Sequence, residues 1–328
     1  MPDRNGKIFY TSITSLSHIS KDSRLDADAI LILQHGKIAA SHRFGGPQFH
    51  NVYSVAKTYL VTAIGMAVDD GLLHLTDKPT AFFPELFDAL AGEADPAWQA
   101  VTVEHLLTMT AGHDAPAMMS ADRKKLRGEG DAPTPKAVQN EWLRFAFTRP
   151  MAFMPGGYFQ YSNLAPYVAG RMLEKVVGCN VRDYLAEKLW QPLGDAVPRW
   201  DSDPAGHTFP ASDLFVDIAN MAELGQIYLN RGVLGGHRYL SEAWVQAATR
   251  KHVDSKVINP AGEAADERCG YGYYFWMNHV PHSYCAYGRE SQFIIVLPDQ
   301  DAVIAVQAMH HNTQEMLDAV WATILPQL

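Results

Sequence analysis

Two pairs of apolar runs, one pair near each end of the chain, predict two β-hairpins. In the first pair, residues 30–33 and 38–40 flank a polar turn that contains Gly36. In the second pair, residues 293–297 and 302–306 flank a Pro-Asp turn. Short apolar runs separated by turn residues are typical of strands that pair in a hairpin. We expect the two hairpins to share one antiparallel sheet.

Between the hairpins, apolar residues recur mostly at helical spacing. The pattern predicts helices over residues 52–70, 103–108, 164–177, 213–230 and 241–249, and a last helix over 313–325. The polar stretch 114–136 lacks this spacing, and the chain has no repeat of solenoid length. A sheet built from both ends of the chain, with helices inserted between them, predicts an α+β fold.

Composition restricts the class of protein and its partners. Of the 328 residues, 47% are hydrophobic and 19% are charged, which is too apolar for a disordered chain. Lys and Arg number 27 against 36 Asp and Glu, a formal net charge of -9, so we expect neither nucleic acid nor an anionic membrane as a partner. The N-terminus is polar, and no apolar run reaches the roughly 18 residues of a membrane helix. We therefore expect no signal peptide and a cytoplasmic protein.

The cysteines and histidines form no recognisable metal-binding pattern. Cys179, Cys269 and Cys285 are far apart and make no CxxC pair, and none of the 14 histidines belongs to an HExxH motif. A disulfide framework or a zinc site is therefore not expected, and buried thiols are the simpler interpretation. We expect neither a metal nor another cofactor.

The most informative segment is an apolar helical stretch that begins near Ser54 and carries Lys57 as its single charge. Burying an ammonium costs on the order of several kcal/mol, so such a lysine pairs with a carboxylate, extends to solvent, or stays neutral as a base. Ser54 precedes Lys57 by three residues, which places both side chains on one helix face. Free N–H groups at the start of the helix would also point at Ser54.

This pair meets the requirements of an activated serine, which are a nucleophile, a neighbouring base and donors for an oxyanion. The alternative is structural: Ser54 would only cap the helix, and the ammonium of Lys57 would reach solvent. The apolar surroundings of Lys57 favour the catalytic interpretation.

A second candidate follows a Pro-Gly turn, where Tyr161 and Asn163 stand just before the predicted helix 164–177. A phenol at this point can exchange a proton with a nearby serine or lysine. Asn163 also has a structural interpretation as the N-cap of that helix. Another Tyr-x-Asn triplet begins at Tyr228, but it lies within a predicted helix with no turn to expose it. We take this second triplet to be unrelated to catalysis.

Four motifs in this order resemble the serine β-lactamase and penicillin-binding-protein superfamily. They are Ser-Val-Ala-Lys at residues 54–57, the segment 103–112, Pro155-Gly156 before the triplet 161–163, and Gly288 before the apolar run 292–296. The pattern is most similar to class C β-lactamase-like esterases, D-aminopeptidases and 6-aminohexanoate-dimer hydrolases. The resemblance extends over about residues 30–306.

The resemblance implies an antiparallel sheet flanked by helices, together with a mostly helical subdomain. Residues 1–75 and 205–328 would form the sheet subdomain, residues 76–204 would form the helical one, and the active site would lie in the cleft between them. Substrate specificity would depend on the polar segments 114–136 and 252–268.

The resemblance also implies a role for each matching residue. Ser54 would be the acylated nucleophile, Lys57 its base, and Tyr161 the phenol that passes a proton to the leaving group. Asn163 would hold the lysine or the substrate. The backbone N–H groups of Ser54 and Arg289 would form the oxyanion hole.

The third motif departs from the family pattern. The family has Lys-Thr-Gly or His-x-Gly on the strand that lines the cleft, whereas residues 286–288 of this chain are Ala-Tyr-Gly. Tyr287 and Gly288 would still contact the substrate. The basic residue that would meet a substrate carboxylate is missing, and whether Arg289 or Arg171 replaces it stays open.

Three functions are compatible with these motifs. The first is a serine hydrolase for a small-molecule ester or amide, because an alanine in the third motif resembles the 6-aminohexanoate-dimer hydrolase branch. The second is a β-lactamase or D-alanyl carboxypeptidase acting on a lactam or peptide, whose substrates lie outside the cytoplasm. The third is an inactive ligand-binding member of the fold.

His113, in a loop that often borders the cleft in this superfamily, is a further candidate for substrate contact, with a solvated loop histidine as the alternative. The oligomeric state stays open.

Overall fold

The computed structural model describes residues 27–130, 132–255 and 266–328. At its centre is a six-stranded antiparallel sheet with the order β2-β1-β11-β10-β9-β8. Its strands are β1 (Ala27–Gln34), β2 (Lys37–Arg43), β8 (Trp276–Met277), β9 (Tyr284–Gly288), β10 (Gln292–Leu297) and β11 (Ala302–Ala308). Because β1 pairs with β11, the two predicted hairpins do share one sheet. The polar N-terminus and residues 256–265 of the segment 252–268 lie outside the described residues.

Smaller strands and the helices complete the described fold. The strands β3 (His50–Asn51), β4 (Arg199–Trp200) and β5 (Leu214–Val216) form a second sheet, and β6 (Val233–Leu234) pairs with β7 (His237–Arg238). The helices are α1 (Ala56–Asp69), α2 (Pro79–Phe82), α3 (Pro84–Ala89), α4 (Val103–Leu107), α5 (Ser120–Leu126), α6 (Lys136–Asn140), α7 (Trp142–Phe147), α8 (Leu164–Val177), α9 (Val181–Leu185), α10 (Gln191–Leu193), α11 (Ile218–Leu229), α12 (Glu242–Thr249) and α13 (Thr313–Thr323).

The central strands are buried along their whole length. Every residue of β10 and β11 is buried, and α11 packs across both strands. Gly225 of α11 makes this close approach possible, because a Cβ there would lie 2.5 Å from Val303 Cγ1 and 2.7 Å from Ile294 Cγ2. Continuous apolar runs are expected of strands that are covered on both faces.

Most of the predicted helices are confirmed. Helices α4, α8, α12 and α13 begin and end within two residues of their predicted bounds. Helix α1 is also confirmed, with a short 3-10 turn before it. The agreement follows from helix signals that are local, such as Ser241, whose hydroxyl accepts from the N–H of Trp244 at the start of α12.

Two local predictions are wrong. The predicted helix 213–230 begins late, because residues 214–216 form β5 and a capping box between Asp217 and Asn220 starts α11 at Ile218. The stretch 114–136 was expected to be irregular, but it contains α5. Short helices that are held by tertiary contacts need no amphipathic repeat of their own.

Two further properties of the chain follow from the described residues. In these three ranges, no helix is both long and apolar enough to cross a bilayer. Cys285 is buried and Cys269 half-buried, whereas Cys179 is exposed. The expectation of buried thiols is therefore wrong for Cys179.

Candidate active site

Ser54 lies in a sharp turn that leads into helix α1. The preceding residue, Tyr53, has a left-handed φ of 45°, which is uncommon for a side chain of this size. Its N–H donates to Asn51 Oδ1 at 2.9 Å, so the turn is held by a side-chain hydrogen bond. Ser54 itself is half-buried, with its hydroxyl at the start of the helix.

Strand β9 packs directly on this turn at Gly288. A Cβ at this position would lie 2.3 Å from Val52 O and 3.1 Å from Gln292 Cβ. Real side chains do not approach a carbonyl oxygen so closely, so the packing requires glycine here. The contact brings the end of β9, and with it Arg289, next to the turn that carries Ser54.

Lys57 is almost completely buried, with 1% of its surface exposed. Its Nζ lies 2.9 Å from Ser54 Oγ, 2.8 Å from Asn163 Oδ1 and 2.8 Å from Ala211 O. All three neighbours are uncharged oxygens. A neutral amine can donate its two hydrogens to Asn163 and Ala211, which leaves its lone pair facing the Ser54 hydroxyl. The arrangement suits a base better than an ammonium.

Electrostatics favour the neutral form of Lys57. Burial lowers the pKa of Lys57 well below its usual value, and the guanidinium of Arg123 lowers this pKa further, whereas Asp213 opposes both. Arg123 forms an ion pair with Asp213, so the nearby carboxylate is already partnered. The alternative in which the ammonium reaches solvent is not what the structure shows.

Asp213 has a role that its sequence context does not indicate. It stands at the start of the predicted helix 213–230, but its φ is 60° and it precedes β5 instead. Its carboxylate accepts hydrogen bonds from Arg123, from Asn51 Nδ2 at 3.1 Å and from Ser212 Oγ at 3.2 Å. Since Asn51 also accepts from the N–H of Tyr53, Asp213 is connected to the turn that carries Ser54.

Tyr161 lies beside both Ser54 and Lys57. Lys57 Nζ is 4.9 Å from the centre of the Tyr161 ring, and the ring stacks on Trp276 with a centroid separation of 5.5 Å. Burial raises the pKa of Tyr161 above its usual value, although a hydrogen bond with the Ser54 hydroxyl lowers it somewhat. The phenol therefore keeps its proton at neutral pH and is available as a donor.

Asn163 precedes helix α8, but its side chain does not cap it. Asn163 Oδ1 accepts from Lys57, and Nδ2 donates to Met118 O at 3.3 Å. The capping bond comes from Ser162, whose Oγ accepts from the N–H of Leu164 at 3.1 Å. Asn163 therefore stands at the N-cap position of α8, as expected, but its side chain makes no capping bond and contacts the amine of Lys57 instead.

A cavity of about 770 Å³ opens in front of these residues. Its walls are formed by Ser54, Asp114, Pro116, Met119, Tyr158, Gln160, Tyr161, Glu267, Trp276, Tyr287, Arg289, Glu290, His311 and Thr313. Three expected site residues besides Ser54 are thus brought to one surface, namely Tyr161, Tyr287 and Arg289. The other two expected residues, Asn163 and Gly288, are not in the lining of this cavity.

His113 and Arg171 do not reach the cavity. His113 is buried, with Nδ1 3.0 Å from Pro150 O and its ring 5.8 Å from that of Trp98. It is neither solvated nor in the cavity lining, and its sequence neighbour Asp114 lines the cavity instead. Arg171 is paired with Glu141 at 2.6 Å and is not in the lining, so it does not replace the missing basic residue.

Several cavity residues were not identified from the sequence. Glu290 lies in the turn between β9 and β10, where Arg289 Nε is 3.1 Å from its Oε1 and His311 Nδ1 is 2.5 Å from its Oε2. Glu267 comes from the segment 252–268, which has no recognisable motif.

The residues described contain no group of three or more His, Cys, Asp or Glu side chains placed to hold a metal ion.

Comparison with known protein sequences identifies relatives over most of the chain. The family described as Beta-lactamase matches residues 16–325. The 6-aminohexanoate-dimer hydrolase of Paenarthrobacter ureafaciens is 24% identical over 229 residues, which are 67% of this chain and 56% of that protein. The match thus spans little more than half the length of this relative.

Solved structures share the fold. A family VIII carboxylesterase has a TM-score of 0.71 at 17% identity, with 97% of this chain and 98% of that chain covered. A penicillin-binding protein homologue from Caulobacter crescentus has a TM-score of 0.69 at 16% identity, with coverages of 95% and 97%. The predicted α+β fold of the β-lactamase and penicillin-binding-protein type is therefore confirmed. Since the family match extends over nearly all of the chain, the protein belongs to the Beta-lactamase family.

Proposed function

We propose that the protein is a serine hydrolase that cleaves a small-molecule ester or amide through an acyl-enzyme on Ser54. The observation that carries this proposal is the environment of Lys57, whose Nζ contacts Ser54 Oγ and two other neutral oxygens. A lysine without a carboxylate contact, buried and within hydrogen-bond distance of a serine, is an activated general base.

In the proposed reaction, Lys57 removes the proton of the Ser54 hydroxyl as Oγ attacks the carbonyl carbon. The backbone N–H groups of Ser54 and Arg289 would stabilise the oxyanion of the tetrahedral intermediate. Tyr161 then protonates the leaving alkoxide or amine and regains a proton from Lys57. Water attacks the acyl-enzyme with the same residues acting in reverse, and the carboxylic acid is released.

The third motif supports an ester or amide rather than a β-lactam. At the position where the family carries a basic residue, Ala286 is buried in β9 with 1% of its surface exposed. The basic side chains in the cavity lining, Arg289 and His311, both contact Glu290. A substrate carboxylate would therefore find no unpartnered cation among the described lining residues. The names of two similar proteins, a 6-aminohexanoate-dimer hydrolase and a family VIII carboxylesterase, agree with this choice.

We further propose that the cavity lies between two subdomains, one formed by residues 1–75 and 205–328 and the other by residues 76–204. In support, one wall comes from β8, β9 and the region after β11, and the other from residues 114–161.

Labelling and turnover experiments test the proposed function. We expect a fluorophosphonate probe to label Ser54 and 4-nitrophenyl acetate to be hydrolysed. In Ser54→Ala, kcat/KM should fall by about 10³-fold or more. Ser41→Ala, on the edge strand β2, serves as the control and should retain activity. If the wild-type protein is neither labelled nor active, an inactive ligand-binding protein is favoured. Rapid hydrolysis of nitrocefin would instead favour a β-lactamase.

Tyr161 is tested against the second Tyr-x-Asn triplet. Tyr161→Phe should lower kcat by roughly 10²- to 10⁴-fold, the usual contribution of a proton donor. Tyr228→Phe removes a similarly buried phenol, which is hydrogen-bonded to Thr62 at 3.0 Å and absent from the cavity lining. It should leave kcat unchanged, and equal losses in the two variants would contradict the role of Tyr161.

A further inference from the structure

Glu267 is held firmly in the cavity wall by its neighbour Asp266. The buried carboxylate of Asp266 accepts from Trp321 Nε1 at 3.1 Å, from Gln314 Nε2 at 2.9 Å and from the N–H of His279 at 2.7 Å. These bonds join the short turn 266–268 to helix α13 and to the segment after β8. The side chain of Glu267 is therefore presented to the cavity from a fixed backbone.

The surroundings of Glu267 are aromatic. The hydroxyl of Tyr287 is hydrogen-bonded to Glu267 and lies 2.7 Å from Thr313 Oγ1. The ring of Trp276 is 6.1 Å from that of Tyr287 and 5.5 Å from that of Tyr161. All of these residues line the same cavity as Ser54. A carboxylate beside aromatic faces is the combination that attracts organic cations, through charge and through cation–π contact.

The charges of the lining leave Glu267 without a counter-ion. Among the residues that the structure describes, no ion pair includes Glu267. The guanidinium of Arg289 is paired with another carboxylate, that of Glu290, which His311 also contacts. Asp114 adds a further negative charge at the exposed rim. The ionisable groups described in the cavity wall therefore favour a cationic group over an anionic one.

Building on the proposed function, we propose that Glu267, Trp276 and Tyr287 form a subsite for an alkylammonium group, so that the hydrolase prefers substrates carrying a positively charged amine. The ammonium would lie against the ring of Trp276 and be paired with the carboxylate of Glu267. It would supply the charge compensation that the carboxylate lacks in the described structure. The same subsite would repel a substrate carboxylate, in agreement with the missing basic residue at Ala286.

The competing interpretation is that Glu267 carries a proton and donates a hydrogen bond to a neutral ligand. Burial raises the pKa of Glu267, although the hydrogen bond from Tyr287 lowers it. The two interpretations differ in their charge dependence. Only an ionised carboxylate distinguishes a quaternary ammonium from its uncharged carbon isostere.

Binding to the Ser54→Ala protein tests this without turnover. Choline and its neutral isostere 3,3-dimethylbutan-1-ol are titrated by calorimetry near pH 8. We expect choline to bind at least about 10-fold more tightly, because it makes an ion pair and a cation–π contact that the neutral isostere cannot make. Adding Glu267→Gln should abolish the preference, whereas adding Glu93→Gln, an exposed control outside the cavity lining, should retain it. The preference should also weaken as the pH falls and Glu267 takes up a proton.

Equal binding of the two compounds, or a preference that survives Glu267→Gln, would overturn the subsite. Binding in Ser54→Ala does not depend on acyl transfer, so this result is separate from the fate of the proposed function. Hydrolysis of 4-nitrophenyl acetate that depends on Ser54, together with equal binding of choline and its isostere, would leave the hydrolase proposal standing and remove only the amine preference. Selective choline binding without Ser54-dependent turnover would leave the amine subsite standing and remove the hydrolase proposal.

Discussion

The packing of Gly288 on the turn that carries Ser54 gives a prediction whose size follows from the structure. In Gly288→Ala the new Cβ would lie 2.3 Å from Val52 O, whereas ordinary contacts begin at about 3.4 Å. Strand β9 and the turn must therefore separate by about 1 Å. Val52 is two residues from Ser54, so the displacement acts on the nucleophile and on the N–H of Arg289 together. A misplacement of this size costs about 10²-fold in rate, and we expect that loss in kcat/KM.

The assay is hydrolysis of 4-nitrophenyl acetate. The concentration of active enzyme is determined by fluorophosphonate labelling, so that unfolded protein does not lower the calculated kcat. Gly225→Ala is the matched control. Its Cβ would lie 2.5 Å from Val303 Cγ1, a similar overlap in the core behind the sheet. Both variants should lose roughly 1 to 3 kcal/mol of unfolding free energy, the usual cost of overpacking. Only Gly288→Ala should lose activity per folded molecule, and a wild-type kcat/KM in this variant would refute the proposed oxyanion geometry.

Two further predictions concern the environment of Lys57. Arg123 lowers the pKa of Lys57 and Asp213 raises it. Arg123→Met should therefore move the acid limb of the pH profile of kcat/KM to higher pH, and Asp213→Asn should move this limb to lower pH. Shifts in the same direction would contradict the electrostatic account. Asn163→Ala removes the 2.8 Å bond that orients the amine, so kcat should fall by about 10-fold or more with little change in KM, and a rise in KM alone would point to substrate binding instead.

Local sequence signals account for what could be predicted. The apolar runs of the two hairpins and the spacing of the helices depend on residues that are close in sequence. The pairing of Ser54 with Lys57 is also local, since three residues along a helix bring two side chains together. These features follow from periodicity and from turn residues, which act before any tertiary contact forms.

The rest of the site depends on contacts between distant parts of the chain. Lys57 meets Asn163 and Ala211, which are 106 and 154 positions away in sequence. Asp213 has the local pattern of a helix cap, but its partners Asn51 and Arg123 come from other elements. Periodicity carries no information on such contacts, so the role of Asn163 was named only through the family resemblance, and Ala211, Arg123 and the partners of Asp213 were not identified from the sequence.

Arg123 connects substrate access with the state of the base. It lies on α5, in the stretch 114–136, and Met119 just before this helix lines the cavity. The same short segment therefore forms part of the cavity wall and supplies the cation that partners Asp213 beside Lys57. A ligand that displaced this segment would weaken the effect of Arg123 on the pKa of Lys57, because that effect falls off with distance. Changes in this wall should consequently alter both substrate choice and the pH at which the enzyme becomes active, whereas changes in the opposite wall near Glu267 should alter substrate choice alone.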